Sequence, residues 1–545
     1  MQREIQEKLR ELVARSAGEL GLPSGSGFEF TLASGFGDIS CNAAFKLAGP
    51  AKQPPRVLAQ KISEQAMKLL PGADLAPVIK DIKAEGAGFI NFYLSGAYFR
   101  GMLAGILSEK DAFLRREADA GNSDPVLIEY VSANPTGSLS VAHARQAAVG
   151  DALASILSFI GFKVSREYYL NDEGNQINIL GKSVACRLAQ LNGEKVEFEP
   201  NYYQGDYIVD MAREVKEKNL PTDHLGDWAG NYILAIIKKE LDDFQVHFDN
   251  WYSQKALARS GKIEKAFEYL KEKGLLYEQE GALWFKSTDF GDDKDRVVIK
   301  TDGSQTYLAP DIAYHKDKYD RGFKKIIDFL GPDHHGYISR LKASVQAFGH
   351  DPESLNVVIV QLASIFRDGK AVEMSTRKGQ YITLREVLDE VGVDAARFFF
   401  MMRRTTSHLN FDLEVAKKQT PENPVYYVQY AHARISSILR QESPVKPPDD
   451  ALLARLTEKE EQAMLRKLWE FSFVLNICHQ TSDPYMLTVY LQETAESFHR
   501  FYDKQRVLGL EDKDLTQARL YLIMAAKIVL ATGLRLIGVS APEKM

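Results

Sequence analysis

The sequence predicts a multidomain α/β protein: a Rossmann-like parallel-sheet domain between an N-terminal α+β domain and a C-terminal all-α helical bundle. Three observations support this fold class. A strand–turn–helix–strand pattern runs from Val126 to Tyr169, the first hundred residues mix helical and alternating apolar patterns, and helical periodicity continues from about residue 423 to Ile537. A chain of 545 residues is long enough for three or four domains.

Composition indicates a cytoplasmic protein without membrane segments. Hydrophobic residues make up 45% and charged residues 26%, and the N-terminus is a charged helix start and not a signal peptide. Cys41, Cys186 and Cys478 lie far apart and form no Cys-x-x-Cys pair, so we expect reduced core cysteines and no zinc. The net charge of -6 argues mildly against nonspecific nucleic-acid binding but leaves room for a local basic face.

The N-terminal domain is predicted to span residues 1–110. An amphipathic helix ends near Gly21, a second helix covers Ala43 to Leu47, and a longer one covers Pro54 to Leu70. Residues 86–92 follow as a glycine-led strand with alternating apolar positions.

The central βαβ unit predicts a ligand site. Val126–Val131 forms a buried strand, residues 132–137 form a turn, and a helix from Val141 ends at Gly161 before a second strand from Phe162 to Tyr169. In parallel sheets ligands dock beyond the carboxyl ends of the strands, where a helix N-terminus suits a phosphate. His143 falls in the first helical turn and faces that position; an ordinary surface histidine is the alternative.

The remainder of the central domain contains further predicted strands. Residues 192–296 read as a mostly helical insertion, after which the sheet resumes at residues 297–300 and continues with Lys324–Leu330 and Leu355–Ala363. The adjacent His334 and His335 suggest a metal at first sight. Adjacent side chains point in different directions and have no acidic or cysteine partner at ligand spacing, so no metal site is expected.

Residues 132–151 resemble the first signature of class I arginyl-tRNA synthetases. The family pattern His-hydrophobic-Gly-His falls on Ser140, Val141, Ala142 and His143, so only the final histidine is kept. Residues 373–379 resemble the second signature, Lys-Met-Ser-Lys-Ser, whose loop closes on the triphosphate in the family; Glu373 and Thr376 stand at its two lysine positions. The resemblance implies catalytic roles for His143, Ser140, Arg377 and Lys378, and ATP binding by Ser140, His143, Met374, Ser375 and Lys378.

The resemblance extends over nearly the whole chain. Residues 37–42 and 86–92 are similar to the additional N-terminal domain of these enzymes, which contacts the tRNA elbow, and residues 423–434 and 540–545 are similar to their anticodon-binding bundle. The implied organisation is residues 1–110, a catalytic domain at 111–380, a connecting helical region at 381–420, and an anticodon-binding domain at 421–545. The range 192–296 either holds the tRNA acceptor end or simply packs.

An arginine substrate requires acidic partners, because a guanidinium is planar, always charged and prefers carboxylates. Glu129 and Asp311 are predicted to lie at strand ends on the ligand edge, and Tyr307 stands four residues before Asp311, where its ring can wall the guanidinium. A structural salt bridge is the alternative for either carboxylate. By resemblance, the arginine-site positions are Ser132, Asn134, His143, Tyr307 and Asp311.

We therefore expect an ATP-dependent ligase that activates L-arginine and transfers it to tRNA(Arg), with Mg²⁺ accompanying ATP and no tightly bound cofactor. A monomer is expected. Two alternatives remain: a catalytically silent relative that binds tRNA as a regulator, motivated by the altered signatures, and a class I synthetase for another amino acid.

Overall fold

The computed structural model describes residues 2–23, 27–33, 35–115, 124–372 and 381–545. The N-terminal domain consists of α1 (Gln2–Glu19), β1 (Phe30–Leu32), β2 (Ile39–Cys41), α2 (Ala43–Ala51), α3 (Pro55–Leu69), β3 (Ile79–Glu85), β4 (Phe89–Leu94) and α4 (Gly96–Glu109). Its strands form one antiparallel sheet in the order β1-β2-β4-β3, with the buried face of the sheet covered by helices. The predicted α+β domain is confirmed.

The elements of the central domain in chain order are β5 (Val126–Glu129), α5 (Val141–Phe159), β6 (Val164–Leu170), α6 (Asn175–Leu191), α7 (Asp206–Glu217), α8 (Leu225–Asp243), β7 (Asn250–Ser253), α9 (Gln254–Arg259), α10 (Lys262–Glu272), β8 (Leu276–Gln279), β9 (Ala282–Phe285), β10 (Arg296–Ile299), α11 (Leu308–Asp320), β11 (Lys325–Leu330), α12 (Ile338–Ala347) and β12 (Leu355–Ile359). Five of these strands form a parallel sheet in the order β12-β11-β5-β6-β7. The βαβ unit lies at the centre of this sheet, as the sequence predicts.

Two sequence-based expectations for the sheet are wrong. Strand β10 does not continue the parallel sheet; it pairs antiparallel with β9 in a separate three-stranded sheet with β8. The run Leu355–Ala363 is not one strand, because β12 ends at Ile359 and Ala363 begins a strand of another sheet. Apolar runs report burial but not the strand partner, so both errors have the same cause. Strand β7, within residues 192–296, pairs with β6 in the central sheet.

A small connecting unit follows the central sheet. It comprises β13 (Ala363–Arg367), β14 (Lys370–Ala371), α13 (Leu384–Phe400), β15 (Leu409–Asp412) and α14 (Leu413–Lys417). Helix α13 is interrupted at Gly392, whose φ of 76° is not helical, and its N-terminus carries a capping box formed by Thr383 and Glu386.

The C-terminal domain is all helical, as predicted. Its helices are α15 (Pro424–Gln441), α16 (Asp450–Leu453), α17 (Lys459–Thr481), α18 (Tyr485–Lys504) and α19 (Lys513–Leu536). Asn423 caps α15 by accepting the N–H of Val425. In the part of the chain that the structure describes, no helix combines the length and apolar character needed to cross a bilayer.

The two terminal domains contact each other directly. The buried carboxylate of Asp38 accepts the N–H of Leu94 at 2.7 Å and lies 3.0 Å from Nε of Arg466 in α17. Arg100 in α4 makes a bidentate hydrogen bond to the carboxylate of Asp450, at 2.6 and 3.2 Å. The aspartate of the motif at residues 37–42 therefore joins the N-terminal domain to the helical bundle.

Candidate active site at the carboxyl edge of the central sheet

The loop after β5 is held in an uncommon backbone conformation. Val131 and Ser132 have φ angles of 70° and 39°, a region that residues other than glycine seldom adopt. The Ser132 hydroxyl stabilises the turn by accepting the N–H of Tyr169 at 3.0 Å and donating to Glu129 at 2.9 Å. Asn134 then donates to Gln176 at 2.8 Å. The predicted residues Ser132 and Asn134 thus lie between β5 and β6, at the edge where ligands dock.

Ser140 and His143 form the N-terminus of α5. Ser140 is the N-cap residue, and its N–H donates to Nδ1 of His143 at 3.2 Å, the same distance at which its hydroxyl oxygen contacts that nitrogen. Because Nδ1 accepts a hydrogen bond, the proton of the neutral ring lies on Nε2. Burial lowers the pKa of His143 to about 4, against the opposing effect of the Asp333 charge. His143 is therefore a neutral donor at pH 7.

Arg145 anchors the same helix from within the core. Its fully buried guanidinium donates to the carbonyl oxygens of Gln361 at 2.7 Å, Arg404 at 2.9 Å and Ser407 at 2.9 Å. Burial lowers the pKa of Arg145 to about 10. These contacts tie α5 to the segments before β13 and β15, and thereby fix the direction in which its N-terminus points.

Glu129 ends β5 as predicted, but its charge is largely compensated. One carboxylate oxygen accepts the Ser132 hydroxyl and the other accepts Nζ of the fully buried Lys318 at 2.6 Å. Lys318 also donates to Asp328 at 2.8 Å, and Asp328 in turn lies 3.0 Å from Nε2 of His315. Although burial disfavours the charged lysine, Asp328 and Glu129 raise its pKa above the ordinary value. The structural salt bridge considered for Glu129 is present, with a lysine as the partner.

Asp311 occupies a different position from the one predicted. It lies in the first turn of α11 and not at a strand end, because β10 ends at Ile299 and the chain turns and enters α11 at Leu308. Its side chain makes no hydrogen bond or ion pair with any described residue. Burial raises the pKa of Asp311 to about 6; Glu129 and Asp328 add to this effect, and His315 and Lys318 oppose it. An uncompensated carboxylate at a ligand edge can accept a cation.

Two tyrosines, Tyr169 and Tyr337, lie close enough to Asp311 for its charge to affect their pKa values. Tyr307 is the residue just before α11 and is 70% exposed. Burial raises the pKa of Tyr169 and of Tyr337, and the Asp311 charge adds to the rise in both. Tyr169 also donates to Gln254 at 3.0 Å. Sequence reasoning did not assign Tyr337, Gln254 or Lys318 to the site, and no local signal marks them.

The loop after β11 lies beside the helix N-terminus. A Cβ at Gly331 would come within 2.6 Å of Asp333, and Asp333 is the charge that acts on His143. His334 and His335 are exposed on the 3₁₀ turn that follows. Over the described ranges, no group of three or more His, Cys, Asp or Glu side chains is placed to hold a metal ion.

The second signature falls outside the described residues. Glu373, Met374, Ser375, Thr376, Arg377 and Lys378 all belong to the segment 373–380. Its neighbours are placed: β14 precedes it, and Tyr381 after it donates to the carbonyl oxygen of Ser138 at 3.1 Å. The chain after the signature thus returns to the loop that leads into α5.

Three protein-family models match the chain in succession. They are "Arginyl tRNA synthetase N terminal domain" over residues 1–94, "tRNA synthetases class I (R), catalytic domain" over 103–437, and "DALR anticodon binding domain" over 428–545. An arginine–tRNA ligase of Geobacter sp. (strain M21) is 47% identical over 522 residues, 93% of each chain. One of Geobacillus kaustophilus is 45% identical over 560 residues, 99% of each chain.

A solved structure supports the same architecture. The arginyl-tRNA synthetase of Thermus thermophilus superposes with a TM-score of 0.78, covers 98% of this chain and 99% of its own, and is 21% identical. The parallel sheet, the helix N-terminus at its carboxyl edge and the matched catalytic domain define a class I aminoacyl-tRNA synthetase. Within that class the chain belongs to the arginyl-tRNA synthetase family.

Proposed function

We propose that the chain is an arginine–tRNA ligase that joins the carboxylate of L-arginine to the α-phosphate of ATP and then transfers the aminoacyl group to the 3′ end of tRNA(Arg). In the first step a carboxylate oxygen attacks the α-phosphorus and pyrophosphate leaves; in the second a ribose hydroxyl attacks the carbonyl carbon and AMP leaves. The observation that carries the proposal is the uncompensated Asp311 carboxylate on the ligand edge of a class I catalytic domain.

Arginine recognition is assigned first to Asp311. Its carboxylate is desolvated before substrate arrives, so a guanidinium that pairs with it removes an existing energetic cost. The ring of Tyr307 is free to cover the guanidinium face. Glu129 has already accepted Lys318 and Ser132, so we assign it, with Ser132 and Asn134, to the polar wall that orients the amino-acid end of the substrate.

ATP is assigned to the N-terminus of α5. The N–H groups of Val141 and Ala142 in the first turn and the helix dipole suit the phosphates, and Nε2–H of His143 can donate to a phosphate oxygen. Ser140 replaces the first histidine of the family signature and contributes as the N-cap. Met374, Ser375, Arg377 and Lys378 are assigned by resemblance to the triphosphate, and Mg²⁺ would enter with ATP as part of the substrate. Positioning and charge stabilisation would supply most of the rate.

The two terminal domains are assigned to tRNA. The N-terminal domain would contact the elbow and the helical bundle the anticodon, and the Asp38–Arg466 and Arg100–Asp450 contacts would hold these surfaces at a fixed separation. We further propose that the protein acts as a monomer in the cytoplasm.

The test is steady-state aminoacylation with labelled arginine, ATP, Mg²⁺ and total tRNA. Charging that requires arginine, and that lysine or citrulline does not replace, is the expected result. Citrulline matches the shape of arginine without its charge, so it reports on the pairing with Asp311. A folded protein that binds tRNA(Arg) without charging it would refute the proposal in favour of a silent relative.

A further inference from the structure

The loop that leads into α5 is held by side chains from outside the βαβ unit. The Thr136 carbonyl accepts the hydroxyl of Tyr207 at 2.7 Å, and the Ser138 carbonyl accepts that of Tyr381 at 3.1 Å. Residues 131–139 form no helix or strand, so these carbonyls have no regular ladder to join. The loop's conformation therefore depends on these phenols.

Two further contacts close the arrangement at Leu139. Its carbonyl accepts the N–H of Leu384 at 2.7 Å, and its own N–H donates to the buried carboxylate of Glu240 at 3.2 Å. Burial raises the pKa of Glu240, an effect that the Leu139 N–H opposes. Both backbone polar groups of Leu139, the residue directly before the N-cap of α5, are thus hydrogen-bonded.

Gly137 shows how closely the two phenols approach the loop. A Cβ built on it would lie 3.2 Å from the hydroxyl oxygen of Tyr381 and 3.4 Å from that of Tyr207. A methyl group there would be tight against both hydroxyls, which are already fixed by bonds to carbonyls on either side. The glycine provides space and not backbone freedom, because its φ does not lie in the left-handed region that favours glycine.

We propose that Tyr207 and Tyr381 are positioning residues for ATP: they fix the loop 136–140 and through it the phosphate-facing end of α5. The inference rests on the proposed function and assigns a role to the start of α7. In this chain Ser140 and Ala142 replace two residues of the family signature, and His143 is the signature histidine that is kept. Its position therefore depends more heavily on the loop that precedes α5.

The experiment compares Tyr207→Phe and Tyr381→Phe with the parent in aminoacylation, varying ATP, arginine and tRNA in turn. Each substitution keeps the ring and removes one hydrogen bond, and we expect kcat/KM for ATP to fall by about tenfold. KM for arginine should stay within about twofold of the parent, since Asp311 and Tyr307 are untouched. Tyr203→Phe is the matched control, because its hydroxyl makes no hydrogen bond to a described residue.

A double-mutant cycle tests the geometry independently of folding. Gly137→Ala should lower kcat/KM for ATP by about tenfold in the parent. In the Tyr381→Phe background it should cost less, because the hydroxyl that the new methyl meets is gone. A charging parent that is indifferent to both tyrosine variants, or a cycle in which the effects simply add, would overturn the inference. A parent that charges no tRNA would instead contradict the proposed function.

Discussion

Replacing Asp311 by asparagine is expected to stabilise the free protein and to remove its use of arginine. The carboxylate is partly buried, has no hydrogen-bond or ion-pair partner among the described residues, and its pKa is about 6 instead of the ordinary 3.8. A raised acid pKa means that the folded state disfavours the ionised form, and this cost is present at every pH above the folded-state value. Asparagine has nearly the same shape and carries no charge.

The free-energy cost of the ionised Asp311 carboxylate follows from the shift in its pKa. The pKa moves from 3.8 to about 6, and at 1.36 kcal/mol per unit this amounts to about 3 kcal/mol of lost stability at pH 7.5. The cost declines as pH falls through 6 and reaches about half of that value at pH 5, since more of the native state is then protonated. The same substitution should weaken arginine binding by about 3–5 kcal/mol, because it removes one partner of a desolvated charge pair.

The assay is chemical denaturation of parent and Asp311→Asn at pH 7.5 and pH 5, without and with saturating arginine. The variant should be more stable at pH 7.5, the difference should narrow at pH 5, and arginine should stabilise the parent alone. Asp289→Asn is the control, an exposed carboxylate of the same domain without a side-chain hydrogen bond to a described residue. A variant less stable than the parent at pH 7.5, or one still stabilised by arginine, would refute the reasoning.

Three further predictions concern activity. In the parent, kcat/KM for arginine should fall by about tenfold per unit as pH drops below the free-enzyme pKa of Asp311 near 6; a flat profile from pH 7 to 5 would contradict this. His143→Ala should lower kcat/KM by at least about tenfold, or about 1.4 kcal/mol, at equal folded concentration. Because His143 is already neutral down to about pH 4, its loss should leave the shape of the pH profile unchanged. Arginine-dependent exchange of pyrophosphate into ATP should be negligible without tRNA. Robust exchange by the protein alone would show that arginine activation does not require tRNA and would contradict this prediction.

Much of the fold is predictable because its signals are local. Apolar residues at three- and four-residue spacing from Val141 predict α5, which ends within two residues of Gly161. Helical periodicity also predicts the C-terminal bundle. Glu129, Ser132 and His143 reach the ligand edge for the same reason: in parallel sheets the residues that follow a strand and begin the next helix share one edge. The strand partner of an apolar run is not encoded locally, so the sequence predicts the wrong sheet for β10 and a single strand where Leu355–Ile359 and Ala363 belong to different sheets.

The sequence by itself determined the element types, their order and the presence of charged and polar residues near one sheet edge. Tertiary structure decided which of these charged groups have no partner among the described residues and can therefore pair with a ligand. Lys318 neutralises Glu129 from 189 residues away and leaves Asp311 as the uncompensated carboxylate. Tyr207 reaches the loop before α5 from α7, and Tyr381 reaches it from the segment that precedes α13. Helix and strand periodicities arise from neighbours along the chain, whereas charge compensation and loop support arise from residues that meet only after the sheet has formed.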